Sequence, residues 1–182
     1  MRYHLKRTVV LVGMMGAGKT AVGTVLARVL GVPFLDSDAE IVKAANMSIA
    51  EIFERDGEAF FRARESEVIA RLMAAPQKGI LSTGGGAFLR EENRAVIAEG
   101  GIAVWLRAPV ELLWQRVRHK DSRPLLRTEN PRATLAELSR VREPAYALAG
   151  LVVESDAESS VEETAARVIE VLLTRPDILV RR

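Results

Sequence analysis

The chain has 182 residues, 48% of them hydrophobic, which fits one domain with a small mobile insertion and calls for no second core. Its formal net charge of +2 is too small to argue for nucleic acid as a partner, and the lack of cysteine excludes disulfides, thiolate metal sites and cysteine nucleophiles. No apolar run reaches membrane-spanning length, so no membrane partner is expected. Arg2, Lys6 and Arg7 ahead of the apolar residues 9–12 imitate a secretion signal. The apolar stretch is too short for one, and cleavage beyond it would destroy the glycine loop that follows.

Thr8–Val12 is nearly all β-branched and apolar, which predicts a strand buried on both faces. A glycine loop follows, then a helix over about 18–30 stopped by Gly31 and Pro33. Phe34–Asp36 is a second short strand. Helical patterns cover 38–45 and 48–55, the latter opening on a capping-box sequence, Ser48-Ile49-Ala50-Glu51. Gly57 breaks the pattern, and an amphipathic helix runs over 58–74 with Phe61 as core or pocket wall. A third strand over 79–83 ends in Gly84-Gly85-Gly86. A helix over 91–98 and a fourth strand over 102–106 come next. Pro109 then opens a helix reaching about 119, in a first turn where its missing N–H does no harm. Residues 120–131 are polar and aperiodic. Residues 134–148 are helical but interrupted by Pro144. Leu151–Glu154 is a fifth strand, Val161–Leu173 a last helix, and the tail from 174 is peripheral. This alternation implies an α/β fold whose five-stranded, mainly parallel sheet is covered on both faces. Ligands of such sheets collect beyond the carboxyl ends of the strands, where the candidate residues fall.

Gly13-Met14-Met15-Gly16-Ala17-Gly18-Lys19-Thr20 has two glycines, a lysine and a hydroxyl at the spacing of a phosphate-binding loop. Backbone N–H groups can curl around phosphate oxygens there, and the helix that starts at the loop aims its positive end at the same anion. Lys19 would reach the β- and γ-phosphates and Thr20 would offer its hydroxyl to Mg²⁺. A glycine-rich turn with an accidental lysine and threonine is the plainer reading, but the strand before and the helix after are what the motif requires. Asp36-Ser37-Asp38 can divide its work, one carboxylate holding a magnesium-bound water and the other accepting a proton from a substrate hydroxyl. A helix N-cap is the alternative. Gly84, Gly85 and Gly86 make either a plain turn or a backbone that a ligand can approach closely. Arg116, Arg123 and Arg127 flank or lie in the aperiodic segment, which is either a lid that closes over ATP or a solvated loop. Arg142 could equally form a surface ion pair with Glu143 or Glu137. His4 and His119 read as surface residues.

Taken in order, GMMGAGKT, DSD, SIAEIFERDGEAFFRARE, STGGGA, SRPLL and REPAY make the chain, from residue 9 to about 168, resemble the shikimate kinases. That resemblance implies a three-layer P-loop NTPase fold in a single domain over 1–182. It implies a substrate-binding segment at about 38–75 and a mobile lid at about 117–131. It also implies transfer of the γ-phosphate of ATP to shikimate, with Mg²⁺, by a monomer in the cytoplasm that makes aromatic amino-acid precursors. On the family's pattern ATP meets the loop from Gly13 to Thr20 and the adjoining Ala21, with Arg116 packed on adenine and Arg123 on phosphate. Thr20 and Asp36, the latter through water, serve the metal. Asp38 binds shikimate hydroxyls and is the base, so Asp38, Lys19 and Arg123 carry catalysis. Arg62 and Arg142 hold the carboxylate in a pocket lined by Gly84, Gly85 and Gly86. The sequence departs from the family at Ala21, at Ala145 and at 155–157, where no adenine contacts are assigned. A kinase for another small hydroxy acid such as gluconate, or an ATP-binding switch without a small substrate, shares the P-loop but not the arginine motifs.

Overall fold

The computed structural model describes residues 2–119 and 126–182. Its elements are β1 (Tyr3–Leu5), β2 (Thr8–Val12), α1 (Lys19–Leu30), β3 (Phe34–Asp36), α2 (Ser37–Ala45), α3 (Ile49–Ala74) and β4 (Ile80–Ser82). A short 3₁₀ turn (Ala87–Leu89) leads to α4 (Glu91–Gly100), β5 (Gly101–Arg107), α5 (Val110–Val117), α6 (Pro131–Tyr146), β6 (Leu151–Glu154), α7 (Val161–Leu173) and β7 (Leu179–Arg181).

Five strands form one sheet in the order β3-β4-β2-β5-β6, and every neighbouring pair is parallel. β2 lies at the centre, with Val9 opposite both Ile80 and Ile102, and all five of its residues are buried. That is the environment its unbroken apolar run demands. Helices flank the sheet in a three-layer α/β arrangement, α1 against α7 and α3 against α4. A second, smaller core of Ile41, Ile52, Phe61 and Val68 joins α2 to α3. Phe61 therefore belongs to that core and holds α3 in place. α3 opens on the expected capping box, with Ser48 Oγ accepting from Glu51 N at 3.1 Å. It bends at Gly57, whose φ of 84° and ψ of 169° are outside helical geometry.

Two expectations need correction. Pro144 does not interrupt α6, which continues to Tyr146. The proline stands in the last turn, where the lost donor and the ring's clash with the preceding turn are tolerated so close to the helix end. The tail is not peripheral: β7 pairs antiparallel with β1, and Ile178 and Leu179 are fully buried in the main core. Three-residue strands give too little alternation to be read from sequence. Of the expected lid, Arg123 and the rest of 120–125 lie outside the described residues. At its far end Leu126 is buried and α6 is capped by Asn130 Oδ1, which accepts from Ala133 N at 3.1 Å.

Leu179→Ala should lower the unfolding free energy by about 2–5 kcal/mol, the usual range for emptying a fully buried leucine site. Chemical denaturation of the two proteins checks this, and a change within error would contradict the burial of the tail.

Candidate active site

The P-loop fills the gap between β2 and α1. Gly18 takes φ 95° at the cap of α1 and supplies no side-chain bond to the first turn. The first amides of α1 are thus left for an anion, at the positive end of a 12-residue helix. Lys19 folds over the loop, its Nζ donating to Gly13 O at 2.7 Å and Met14 O at 2.9 Å. These carbonyls hold the ammonium against the backbone of the loop.

Asp36 ends β3 and caps α2. Its Oδ1 accepts from Asp38 N at 2.8 Å and Ala39 N at 3.2 Å, while Oδ2 faces Thr20 Oγ1 at 3.4 Å. The cap and the metal-side reading are therefore both available to one carboxylate, each through its own oxygen. Capping Asp38 N also sets Asp38 in the first turn of α2, half-buried. A cleft of about 610 Å³ unites these groups: the P-loop residues Gly16, Gly18, Lys19 and Thr20 with Asp36 and Asp38, and Ser82 to Gly85 with Arg116. Thr83, which sequence reading passed over, is fixed in its wall by donating Oγ1 to Leu11 O at 3.2 Å.

Charged side chains crowd each of the three glycines, with Glu65 Oε2 a second neighbour at Gly84, 3.2 Å from the position of an added Cβ. A Cβ added at Gly84 would come within 2.9 Å of Asp38 Oδ1, one at Gly85 within 2.7 Å of Arg142 Nη1, and one at Gly86 within 2.4 Å of Arg62 Nη2. The triplet is thus no plain turn. Arg62 and Arg142 do not line the large cleft; Arg142 stands against its lining residue Gly85, and Arg62 against the next residue, Gly86. Arg142 is 5% exposed, so the alternative of a surface ion pair fails, and it is Arg140 that pairs with Glu137. Among the described residues Arg142 makes no salt bridge within 4.0 Å.

Two buried polar residues at the site carry no role in the sequence reading. Glu65 is fully buried, and its Oε1 accepts from Arg62 Nη1 at 2.9 Å. Its Oε2 has no hydrogen-bond partner among the described residues and points at the space beside Gly84. Burial pushes its carboxyl above the ordinary value of 4.5, with Asp38 adding to the rise and Arg62 and Arg142 opposing it. Its i, i+3 spacing from Arg62 was the available signal. Tyr146 is also fully buried, donates its hydroxyl to Gly85 O and stands 3.8 Å from Met14 Sδ. Burial pushes this phenol up, against the opposing influence of Arg142. One phenol oxygen therefore touches the glycine row and the P-loop together.

On the opposite side of the P-loop, a smaller groove of about 210 Å³ runs between Gly18, Ala21 and Arg116 and the loop bearing Ser155, Ser159 and Ser160. Arg116 donates from Nη1 to Gly16 O at 2.9 Å, and burial lowers its pKa while Asp156 works the other way. Arg127 lies outside both pockets.

The shikimate kinase family model matches residues 15–173. A shikimate kinase of Ruegeria pomeroyi is 66% identical over 96% of this chain and 89% of its own length, and one of Rhizobium meliloti is 46% identical over 91% and 87%. Among solved structures, a shikimate kinase from Acinetobacter baumannii in complex with shikimate superposes with a TM-score of 0.89 at 40% identity, over 93% of this chain and 94% of the other. A gluconokinase from Sinorhizobium meliloti, at 18% identity and a TM-score of 0.59, shares the fold alone.

Two measurements probe this geometry. Gly86→Ala should fold with little change in Tm, because a guanidinium can swing aside, yet weaken binding of the acid substrate by roughly tenfold or more through loss of one charge-assisted bond. Calorimetric titration distinguishes this from an inert substitution. For Glu65, a folded-state pKa raised above 4.5 means a stability contribution that is full below that value and lost as pH rises through the folded pKa. The Tm of Glu65→Gln should therefore gain on that of the parent as pH increases from the ordinary value toward neutrality. A constant difference would contradict the burial argument.

Proposed function

Because the chain belongs to the shikimate kinase family, we propose that it transfers the γ-phosphate of ATP to the 3-hydroxyl of shikimate. The products are shikimate 3-phosphate and ADP, on the route to chorismate and the aromatic amino acids. The observation that carries the choice of substrate is the arginine pair behind the glycine row. Arg142 is buried, while Arg62 donates to Glu65 at 2.9 Å and more loosely to the exposed Glu58 at 3.5 Å. A cation held out of water with no ion pair of its own among the described residues calls for an anion from a ligand. A forked guanidinium fits a carboxylate with two parallel bonds, and two forks fix the plane of the acid.

The rest of the chemistry follows from position. The amides at the start of α1 and the Lys19 ammonium hold the β- and γ-phosphates. Thr20 and Asp36 suit Mg²⁺, since a hydroxyl and a carboxylate oxygen 3.4 Å apart beside the phosphate loop match an ion that keeps most of its water and takes few protein oxygens. When bound, Mg²⁺ neutralises charge on the phosphates. Asp38, in the wall between loop and glycine row, accepts the proton of the attacking hydroxyl as it turns toward the γ-phosphate. Gly84 keeps that approach clear, since any side chain there would meet Asp38. Arg123 would bring positive charge to the phosphoryl group on closure, and Arg116 would face the base of ATP in the smaller groove. Residues 38–75 would act as the acid-binding segment and 117–131 as the lid of one domain. On the family's pattern the enzyme would work as a monomer in the cytoplasm, without a nucleic-acid partner.

A kinase of neutral polyols or an ATP-driven switch would leave the arginine pair without work. The test uses shikimate and its uncharged carboxamide. Arg142→Lys should hurt almost as much as Arg142→Ala, each costing roughly tenfold or more in shikimate affinity with a much smaller effect on MgATP. The amide should bind the parent poorly and be nearly indifferent to Arg142→Ala, because the shared interaction is already gone. Equal phosphorylation of amide and acid would overturn the proposal.

A further inference from the structure

The loop over 155–160 forms one wall of the smaller groove, yet its sequence gives it little to hold on to. Ser155 is buried, its N–H donating to Arg107 O at 2.7 Å, but the residues after it are polar apart from Ala157 and mostly exposed. Its shape comes from two sets of bonds. Asp156 Oδ1 accepts from Glu158 N at 3.0 Å and Ser159 N at 2.7 Å, and Oδ2 from Ser159 Oγ at 3.1 Å. These bonds, those from Ser159 foremost, hold its carboxyl below the ordinary range.

The second set comes from Arg167, in the second turn of α7. Its Nη1 donates to Ser159 Oγ at 2.8 Å, and its Nη2 donates to Glu154 O at 3.0 Å and Thr164 Oγ1 at 3.3 Å. Nη2 also stands 3.6 Å from Asp156 Oδ2. One planar guanidinium thus joins the last carbonyl of β6, the far side of the loop and the helix that follows. Arg167 does not itself line the groove, whereas Ser155, Ser159 and Ser160 do. The loop in turn faces the P-loop. Asp156 acts electrostatically on Arg116, and Arg116 is bonded to Gly16 O.

We propose that Arg167 is a positioning residue for nucleotide binding: it holds the wall of residues 155–160 against Arg116 at the spacing that the base of ATP needs. This rests on the reading that the smaller groove takes that base. A purely structural role is the rival. α7 does not need Arg167 for its start, because Ser160 and Glu163 already form a capping box there. A lysine cannot replace the fork, since a single ammonium does not span Ser159 Oγ and Glu154 O in fixed geometry.

Steady-state kinetics of Arg167→Ala, Arg167→Lys and Ser159→Ala, with calorimetry of MgADP, test this. Arg167→Ala should raise KM for ATP about tenfold and weaken MgADP to match, the size expected for losing a charge-assisted bond. KM for shikimate should stay within about twofold, which separates lost positioning from general damage. Arg167→Lys should fall nearer to Ala than to the parent. Ser159→Ala should raise KM for ATP less and add little on top of Arg167→Ala, because both remove the same link. An unchanged KM for ATP in folded Arg167→Ala would overturn the proposal, as would parallel rises in both KM values that track a falling Tm. Should Arg167→Ala fail to fold, Ser159→Ala decides alone, and unchanged MgADP affinity there counts against it. The groove reading has its own control: if the parent binds magnesium tripolyphosphate as tightly as MgATP, the groove does not take the base and the inference falls with it.

Discussion

Three charged side chains press on the backbone of residues 84–86 at distances that leave no room for a Cβ. Asp38 comes from α2, Arg62 from α3 and Arg142 from α6, so three separate elements meet one short stretch at the end of β4. The stretch can take this load because it is held from behind. β4 lies between β3 and β2 in the sheet, Thr83 is bonded to Leu11 O, and Tyr146 fixes the carbonyl of Gly85. Glycine here is a matter of space. Any side chain at these positions would move a charge, and moving a charge would undo the site.

The electrostatics explain why the surrounding fold is so firmly built. Burying Arg142 and Glu65 costs several kcal/mol for each ion unless partners are well placed. Glu65 repays part of that cost by fixing Arg62 through one oxygen, while the other oxygen stays without a partner among the described residues. Such a polar cluster persists only if the apolar parts around it are rigid. The small core of α2 and α3 provides this on one side, with Phe61 adjacent in sequence to Arg62 and its guanidinium 5.1 Å from the ring centroid. The main core provides it on the other, with Tyr146 packed near Trp105.

Much of this was legible in the sequence where chemistry and local structure coincide. The P-loop, the capping box at Ser48 and the buried central strand follow from spacing and periodicity, and the resemblance to the shikimate kinases singled out Arg62 and Arg142. What escaped was long-range. Nothing local announces that residues 179–181 pair with 3–5, since the partners are separated by almost the whole chain. Pro144 signals a break, but the helix ends two residues later and tolerates it. Glu65 resembles any exposed glutamate on a charged helix until α3 is laid against the sheet. Residues 155–157 match the family's pattern poorly, and only the folded structure shows that their loop borders the P-loop.

The most direct test of the account is a crystal structure of the protein with shikimate bound. The account predicts the carboxylate within hydrogen-bonding distance of both Arg62 and Arg142, the ring lying along Gly84 to Gly86, and a hydroxyl on Asp38 turned toward the P-loop. A carboxylate bound by neither arginine, or a ring turned so that no hydroxyl reaches Asp38, would contradict it.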